Sequence, residues 1–297
     1  MISSKEYFMH IEALGVPFNG LGNIHHPENP AEGLRDAGIL SSLKARGHTV
    51  TDFGDMTGIQ YTNQTGHQTG ITDYEQWIAL SEGLSRDVLP LFSRQAFPLI
   101  LGGDCSLLVG VFSGIKTIEN RVGLIFLDGH ADYHTVETSP TGEPADMELA
   151  VLTGRGPDSL VNIGGISPLL YQEDALVMGI RARDGIDQSN IRFLDAETIH
   201  RVGADTAMKT GLESLPNLSI PFWLHLDVDV LDPSVMPVLF PEPGGLFFDQ
   251  VESLLRRSFS AVKVIGLSIA CYHPSLDGHG RAAKQLANSI SNAISDI

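Results

Sequence analysis

The feature that most constrains this chain is a recurring alternation of short apolar runs with longer amphipathic stretches. Residues 97–101, 122–127, 175–180, 222–226 and 262–267 are apolar runs of five or six residues, rich in branched side chains and bounded by Gly, Pro or Asp. Runs of that length and composition read as buried strands. Stretches such as 74–92 and 248–259 read as helices. Strand and helix in repeated succession predict an α/β fold, a parallel sheet with helices on both faces. No fixed-period repeat, low-complexity segment or composite linker interrupts the pattern, so a single domain over 1–297 is expected.

Composition narrows the function. Of 297 residues, 42% are hydrophobic, enough to bury a sizeable core, and only 19% are charged. The formal net charge of −17 excludes nucleic acid and anionic membranes as partners, since both would repel the chain. Two cysteines, Cys105 and Cys271, do not make a disulfide framework. The first residues lack the basic and apolar regions of a signal peptide, and no run of 18 apolar residues exists. A cytoplasmic location and a small-molecule substrate are the expectation.

Three polar clusters follow three of the apolar runs: Gly102-Gly103-Asp104-Cys105-Ser106, Asp128-Gly129-His130-Ala131-Asp132, and Asp227-Val228-Asp229 with Leu231-Asp232-Pro233 beyond. In open α/β sheets, ligands bind beyond the carboxyl ends of the strands. Asp128, His130 and Asp132 alternate, and residues two apart in extended backbone share a side. Asp227 and Asp229 do the same. Either motif alone reads as a solvated loop. Together they put four carboxylates in one cavity, which repel unless cations lie between them. Oxygen and imidazole ligands suit manganese, with zinc, iron or nickel as alternatives.

These motifs resemble the arginase, agmatinase and formimidoylglutamase superfamily, whose usual signatures are Gly-Gly-Asp-His-Ser, Asp-Ala-His-x-Asp and Ser-x-Asp-x-Asp-x-Leu-Asp-Pro. Residues 128–132 match the second with Gly129 for Ala, and residues 227–233 match the third, with His225 for Ser. Residues 32–38 resemble an early family motif, and residues 266–274 a late one, so the likeness spans about 11–280. The resemblance implies a three-layer fold around a central, mainly parallel eight-stranded sheet. It implies two Mn2+ ions bridged by Asp128, Asp227 and a hydroxide that attacks a guanidine or amidine carbon. One ion would take Asp132 and Cys105, the other His130 and Asp229. Asp128, His130 and Asp227 are the catalytic candidates. A trimeric or hexameric homo-oligomer is also implied.

The sequence departs from the family in ways that bear on substrate. Cys105 stands where most members have a ligating His. A buried Cys ordinarily packs as a small hydrophobe, but here it holds a ligand's place. Its thiolate would make the first ion a weaker Lewis acid, and an empty first site is an alternative. Cys271 replaces a Glu that holds the guanidinium, Ser268 replaces an Asp, and Ala145 falls where arginases carry a proton-shuttling His. Plain arginine or agmatine is therefore disfavoured. His134, Asp184 and Asp187 fall near positions that hold the substrate's amino-acid end, though loops are polar by default. His25, His26, His273 and His279 lie near site loops in sequence and read as ordinary surface or hydrogen-bonded histidines.

The resulting expectation is a metal-dependent hydrolase cleaving a C–N bond of a guanidino, hydroxyguanidino or formimino small molecule. A second reading is a catalytically reduced scaffold with partial metal content, suggested by Cys105 and Cys271. A histone-deacetylase-like amidohydrolase is a third. It needs a His-His pair and a catalytic Tyr that residues 102–106 do not supply.

Overall fold

A computed structural model describes residues 8–17, 29–58 and 69–295. His25 and His26 lie outside them. Eight described strands run β1 His10–Gly15, β2 Thr49–Asp55, β3 Phe97–Leu101, β4 Gly123–Leu127, β5 Ala175–Ile180, β6 Arg192–Asp195, β7 Pro221–Asp227 and β8 Lys263–Ala270. They form one sheet in the order β2-β1-β3-β8-β7-β4-β5-β6, and every neighbouring pair is parallel. The helices are α1 Pro30–Asp36, α2 Ile39–Ala45, α3 Tyr74–Ser93, α4 Leu107–Ile115, α5 Glu148–Leu152, α6 Asp158–Val161, α7 Ala196–Val202, α8 Ala204–Glu213, α9 Phe248–Ala261 and α10 Arg281–Ser295.

Alternation along each strand divides the core in two. Leu99, Leu101, Ile125, Leu127, Leu224 and Leu226 face one apolar layer with α1, α2 and α7 to α10. Ile100, Leu124, Phe126, Val177 and Trp223 face the other, with α3 to α6. Both faces of the sheet are covered, which is why the central strands read as continuous apolar runs. The five strands expected from sequence are all present. The other three, β1, β2 and β6, carry polar residues that break the apolar signal. β2 and β6 are the sheet's two edges and are largely exposed or half-exposed. β1 buries Glu12, which pairs with Arg94 at 3.1 Å. Among the described residues, no helix is long and apolar enough to cross a membrane.

The second helical layer is tightly joined. A Cβ on Gly110 of α4 would lie 2.9 Å from the Ser81 carbonyl oxygen and 2.9 Å from the Leu84 Cβ of α3. One turn on, a Cβ on Gly114 would lie 2.5 Å from Val88 Cγ1. These glycines let the two helix backbones touch. Ala at position 110 would gain about 1 kcal/mol of helix propensity, but the facing backbone cannot yield cheaply. Overpacking usually costs about 1–3 kcal/mol, so Gly110→Ala is expected to lose up to about 2 kcal/mol net. Urea denaturation measures this, and a stabilised variant would show that the helices have room to separate.

Candidate metal centre

Four adjacent central strands, β3, β8, β7 and β4, deliver the polar clusters to one edge of the sheet. After β3 the chain turns through Gly102 and Gly103, with φ of 78° and 76°. A Cβ on Gly102 would lie 2.5 Å from the Ala31 nitrogen, so the turn needs glycine on both counts. It sets Cys105 at the start of α4, 1% exposed. The Cys105 thiol donates to Asp227 Oδ2 at 2.9 Å and lies 3.7 Å from Asp128 Oδ2. The Cys271 sulfur, just past β8, is 3.6 Å away. Neither cysteine is in a disulfide.

Asp128 and Asp227 stand at the ends of β4 and β7. The expected alternation in extended backbone is not how their partners reach the site. β4 stops at Leu127, and Asp132 has the left-handed φ of 48°. Asp229 sits in a 3-10 turn, Val228–Val230. Short local hydrogen bonds gather the candidate ligands instead. The His130 amide donates to Asp128 Oδ1 at 2.6 Å and the Asp229 amide to Asp227 Oδ1 at 2.7 Å. The Gly129 amide donates across to Asp229 Oδ1 at 3.0 Å, and His130 Nδ1 meets Asp229 Oδ2 at 2.8 Å. Carboxylates pinned by N–H groups bend the chain, and strand pleating has no part in it.

The structure thus brings together Cys105, Asp128, His130, Asp132, Asp227, Asp229 and Cys271. Ligand atoms of Asp128, His130 and Asp229 lie within 4.8 Å of one another, as do those of Cys105, Asp227 and Cys271. A cavity of about 230 Å³ opens above them and is lined by His130, Asp132, His134, Asp184, Asp227 and Asp229, with Cys271 also at its wall. Asp184 accepts from the Ala131 and Asp132 amides at 2.9 and 3.2 Å and pairs with His134 at 3.3 Å. It holds the Asp132 loop as well as facing the cavity. Asp187 does not line this cavity; it is exposed and bonded to Arg183 at 2.7 Å. His273 is buried and His279 exposed, and neither lines it.

Two residues join the cluster that the motifs did not single out as ligands. His225 is fully buried, stacked on Phe126, with Nδ1 2.7 Å from Ser268 Oγ and Nε2 3.2 Å from Cys105 Sγ. Glu148, at the start of α5, is fully buried, and its carboxylate is within ligand distance of Asp132 and Cys105. The pattern Asp-x-His-x-Asp could not announce Glu148, which lies 16 residues downstream behind a loop.

The electrostatics are those of a site built for positive charge. Burial, then the Asp132 charge, pushes Asp128 well above the usual carboxylate range. Burial and Glu148 do the same to Asp132. Asp227 is pushed up to about 7 by burial and by Asp229. Burial opposes the charged form of Asp229 too, but its contact with His130 wins and holds it low. Burial likewise works against a charged His130, yet Asp229 lifts it to about 9. His225 is lowered to about 3 by burial, which outweighs the Asp229 charge, and stays neutral. A carboxyl with a raised folded pKa contributes stability below its unfolded value near 4 that is lost as pH rises through the folded one. A raised His, present below about 6.5, loses its contribution in the same direction. Chelator-stripped protein should therefore melt at lower temperature at pH 8 than at pH 5.5, and a divalent cation should close most of that gap. Equal metal-free melting temperatures at the two pH values would contradict this.

The chain has known relatives in sequence and in fold. A model of the arginase family matches residues 11–295. The chain is 29% identical over 290 residues to an arginase from Bacillus subtilis (strain 168), covering 96% of this chain and 97% of that protein. It is 29% identical over 283 residues to an arginase from Bacillus caldovelox, covering 92% and 94%. The crystal structure of arginase from Bacillus cereus superposes with a TM-score of 0.86 at 26% identity, covering 97% of this chain and 98% of that one. The formimidoylglutamase of Bacillus subtilis subsp. subtilis str. 168, 18% identical, shares the fold with a TM-score of 0.74 over 98% and 88% of the chains. With the match running from the first strand to the last helix, the chain belongs to the arginase family, a group of C–N hydrolases.

Proposed function

We propose that this chain hydrolyses a C–N bond in a small guanidino, hydroxyguanidino or formimino compound, using two divalent cations. The observation that carries this reading is the burial of Asp128, Asp132, Asp227 and Asp229, none more than 7% exposed, beside one imidazole at the floor of an open cavity. So many acids without cations would each bear a large desolvation cost. The donor set fits the group. Asp128 and Asp227 would serve both ions, Asp132 and Cys105 one, His130 and Asp229 the other. Mixed oxygen and imidazole donors suit manganese. Such ions supply Lewis acidity and a water-derived nucleophile near neutral pH.

The chain's own groups determine what enters. Glu143, Asp184 and Glu242 line the cavity and favour a cationic end on the substrate. His134, held by Asp184, is placed to meet a substrate carboxylate. At the floor, Cys271 supplies a neutral thiol that cannot pair with a guanidinium, and burial keeps it protonated. Ala145 at the wall moves no proton. These features support a modified or less basic amidine. The four carboxylates are buried together with His130 partly buried beside them, which favours turnover over a retained scaffold. Two free thiols 3.6 Å apart suit a reducing compartment.

Two outcomes follow for purified protein with added manganese. Asp227→Ala should lower metal affinity by at least about 100-fold, more than loss of a supporting contact costs, and abolish turnover. Full metal retention in that variant would contradict a shared ligand. Across a panel of guanidino, hydroxyguanidino and formimino compounds, arginine and agmatine should be poor substrates, below the ~10 per second typical of enzymes. Cys271→Glu should raise arginine turnover. Ordinary urea release from arginine by the unaltered chain would overturn this reading of Cys271.

A further inference from the structure

Glu148 has no role in the reading above, yet its position is hard to explain without one. It opens α5 directly behind the Asp132 loop, where the Leu149 amide donates to the Asp132 carbonyl at 3.2 Å. The side chain is fully buried, and among the described residues neither carboxylate oxygen has a hydrogen-bond donor. A buried carboxylate without donors is among the costliest groups a fold can hold. The polar groups nearest to it make matters worse. A ligand oxygen of Glu148, one of Asp132 and the Cys105 sulfur lie within 4.8 Å of one another. Acid against acid is repulsive unless a proton or a cation sits between them.

We propose that Glu148 is a metal ligand, supplying an oxygen to the ion on the Asp132 side of the centre. The inference rests on the two-cation reading and adds a residue to it. Glu148 adds a hard oxygen beside the soft donor assigned to the same ion, Cys105, whose sulfur lies 2.9 Å from Asp227 Oδ2. With Asp132 and Glu148 both facing the ion, that site becomes richer in hard oxygen than one completed by imidazole. It should favour manganese over the softer ions a thiolate alone would select. The competing explanation is a shared proton, Glu148 acting as a neutral acid that donates to Asp132. The two explanations part at Glu148→Gln: the amide can still donate to Asp132, but it is a poor ligand without charge.

The experiment is manganese titration of the full-length, chelator-stripped chain by calorimetry, with bound metal counted by elemental analysis. The unaltered protein should take up two equivalents. Glu148→Gln should retain one and bind the second at least about 100-fold more weakly, beyond what loss of a supporting contact costs. Its metal-free form should melt no lower than the unaltered one, because the buried charge has gone. Two equivalents bound by Glu148→Gln with unchanged affinities would overturn the proposal and leave the two-cation reading intact. No manganese bound by the unaltered chain would overturn both. Should the variant not fold, anomalous diffraction from manganese-loaded unaltered crystals decides. A Glu148 oxygen within about 2.5 Å of an ion is expected for oxygen ligation, and an ion pair with Glu148 out of bonding distance would refute it.

Discussion

The structure depends on one electrostatic constraint, the concentration of buried acid at the carboxyl edge of a parallel sheet. Asp128, Asp132, Asp227, Asp229 and Glu148 are each at most 7% exposed. Only part of their charge is met by the protein. The amides of Gly129, His130 and Asp229 donate to three of them, and His130 pairs with one. Those N–H groups explain the local backbone, including the 3-10 turn after β7. They do not neutralise five carboxyls. On the proposed reading cations would complete the arrangement, and the same cations would serve the chemistry.

A second theme is that departures from the family pattern are physically joined. In sequence, His225 for Ser, Ser268 for Asp and Cys105 for His are three separate oddities on three strands or turns. In the structure they touch in a row. Trp223 Nε1 donates to Ser268 Oγ at 2.9 Å, Ser268 meets His225 Nδ1, and His225 Nε2 meets the Cys105 sulfur. An imidazole still stands beside the Cys105 sulfur, on β7 and not in the β3 turn. It sits behind the sulfur, where it fixes the orientation of the sulfur instead of replacing it. Cys271 closes the other side of the same sulfur.

Much of this was legible in the sequence, for identifiable reasons. Strands buried on both faces announce themselves as apolar runs, and β3, β4, β5, β7 and β8 are such strands. β1, β2 and β6 were not legible, since edge exposure and the buried Glu12 break the run. The residues of the acidic cluster were legible as types and spacing, but the geometry assumed for them was not. Asp132 and Asp229 reach the site through a left-handed residue and a 3-10 turn, which no two-residue period describes. Glu148 and the facing of His225 toward Cys105 arise from tertiary packing alone. Asp184 and Asp187 look equivalent in sequence, yet one braces the Asp132 loop at the cavity wall and the other pairs with Arg183 outside it.

The most direct test of the central claim is the metal content of the unaltered protein, purified with manganese and freed of loosely bound ions. Elemental analysis should find two divalent ions per chain, lost together with hydrolytic activity on chelation and restored together. A chain that holds no metal and still hydrolyses its substrate at an unchanged rate would contradict the account.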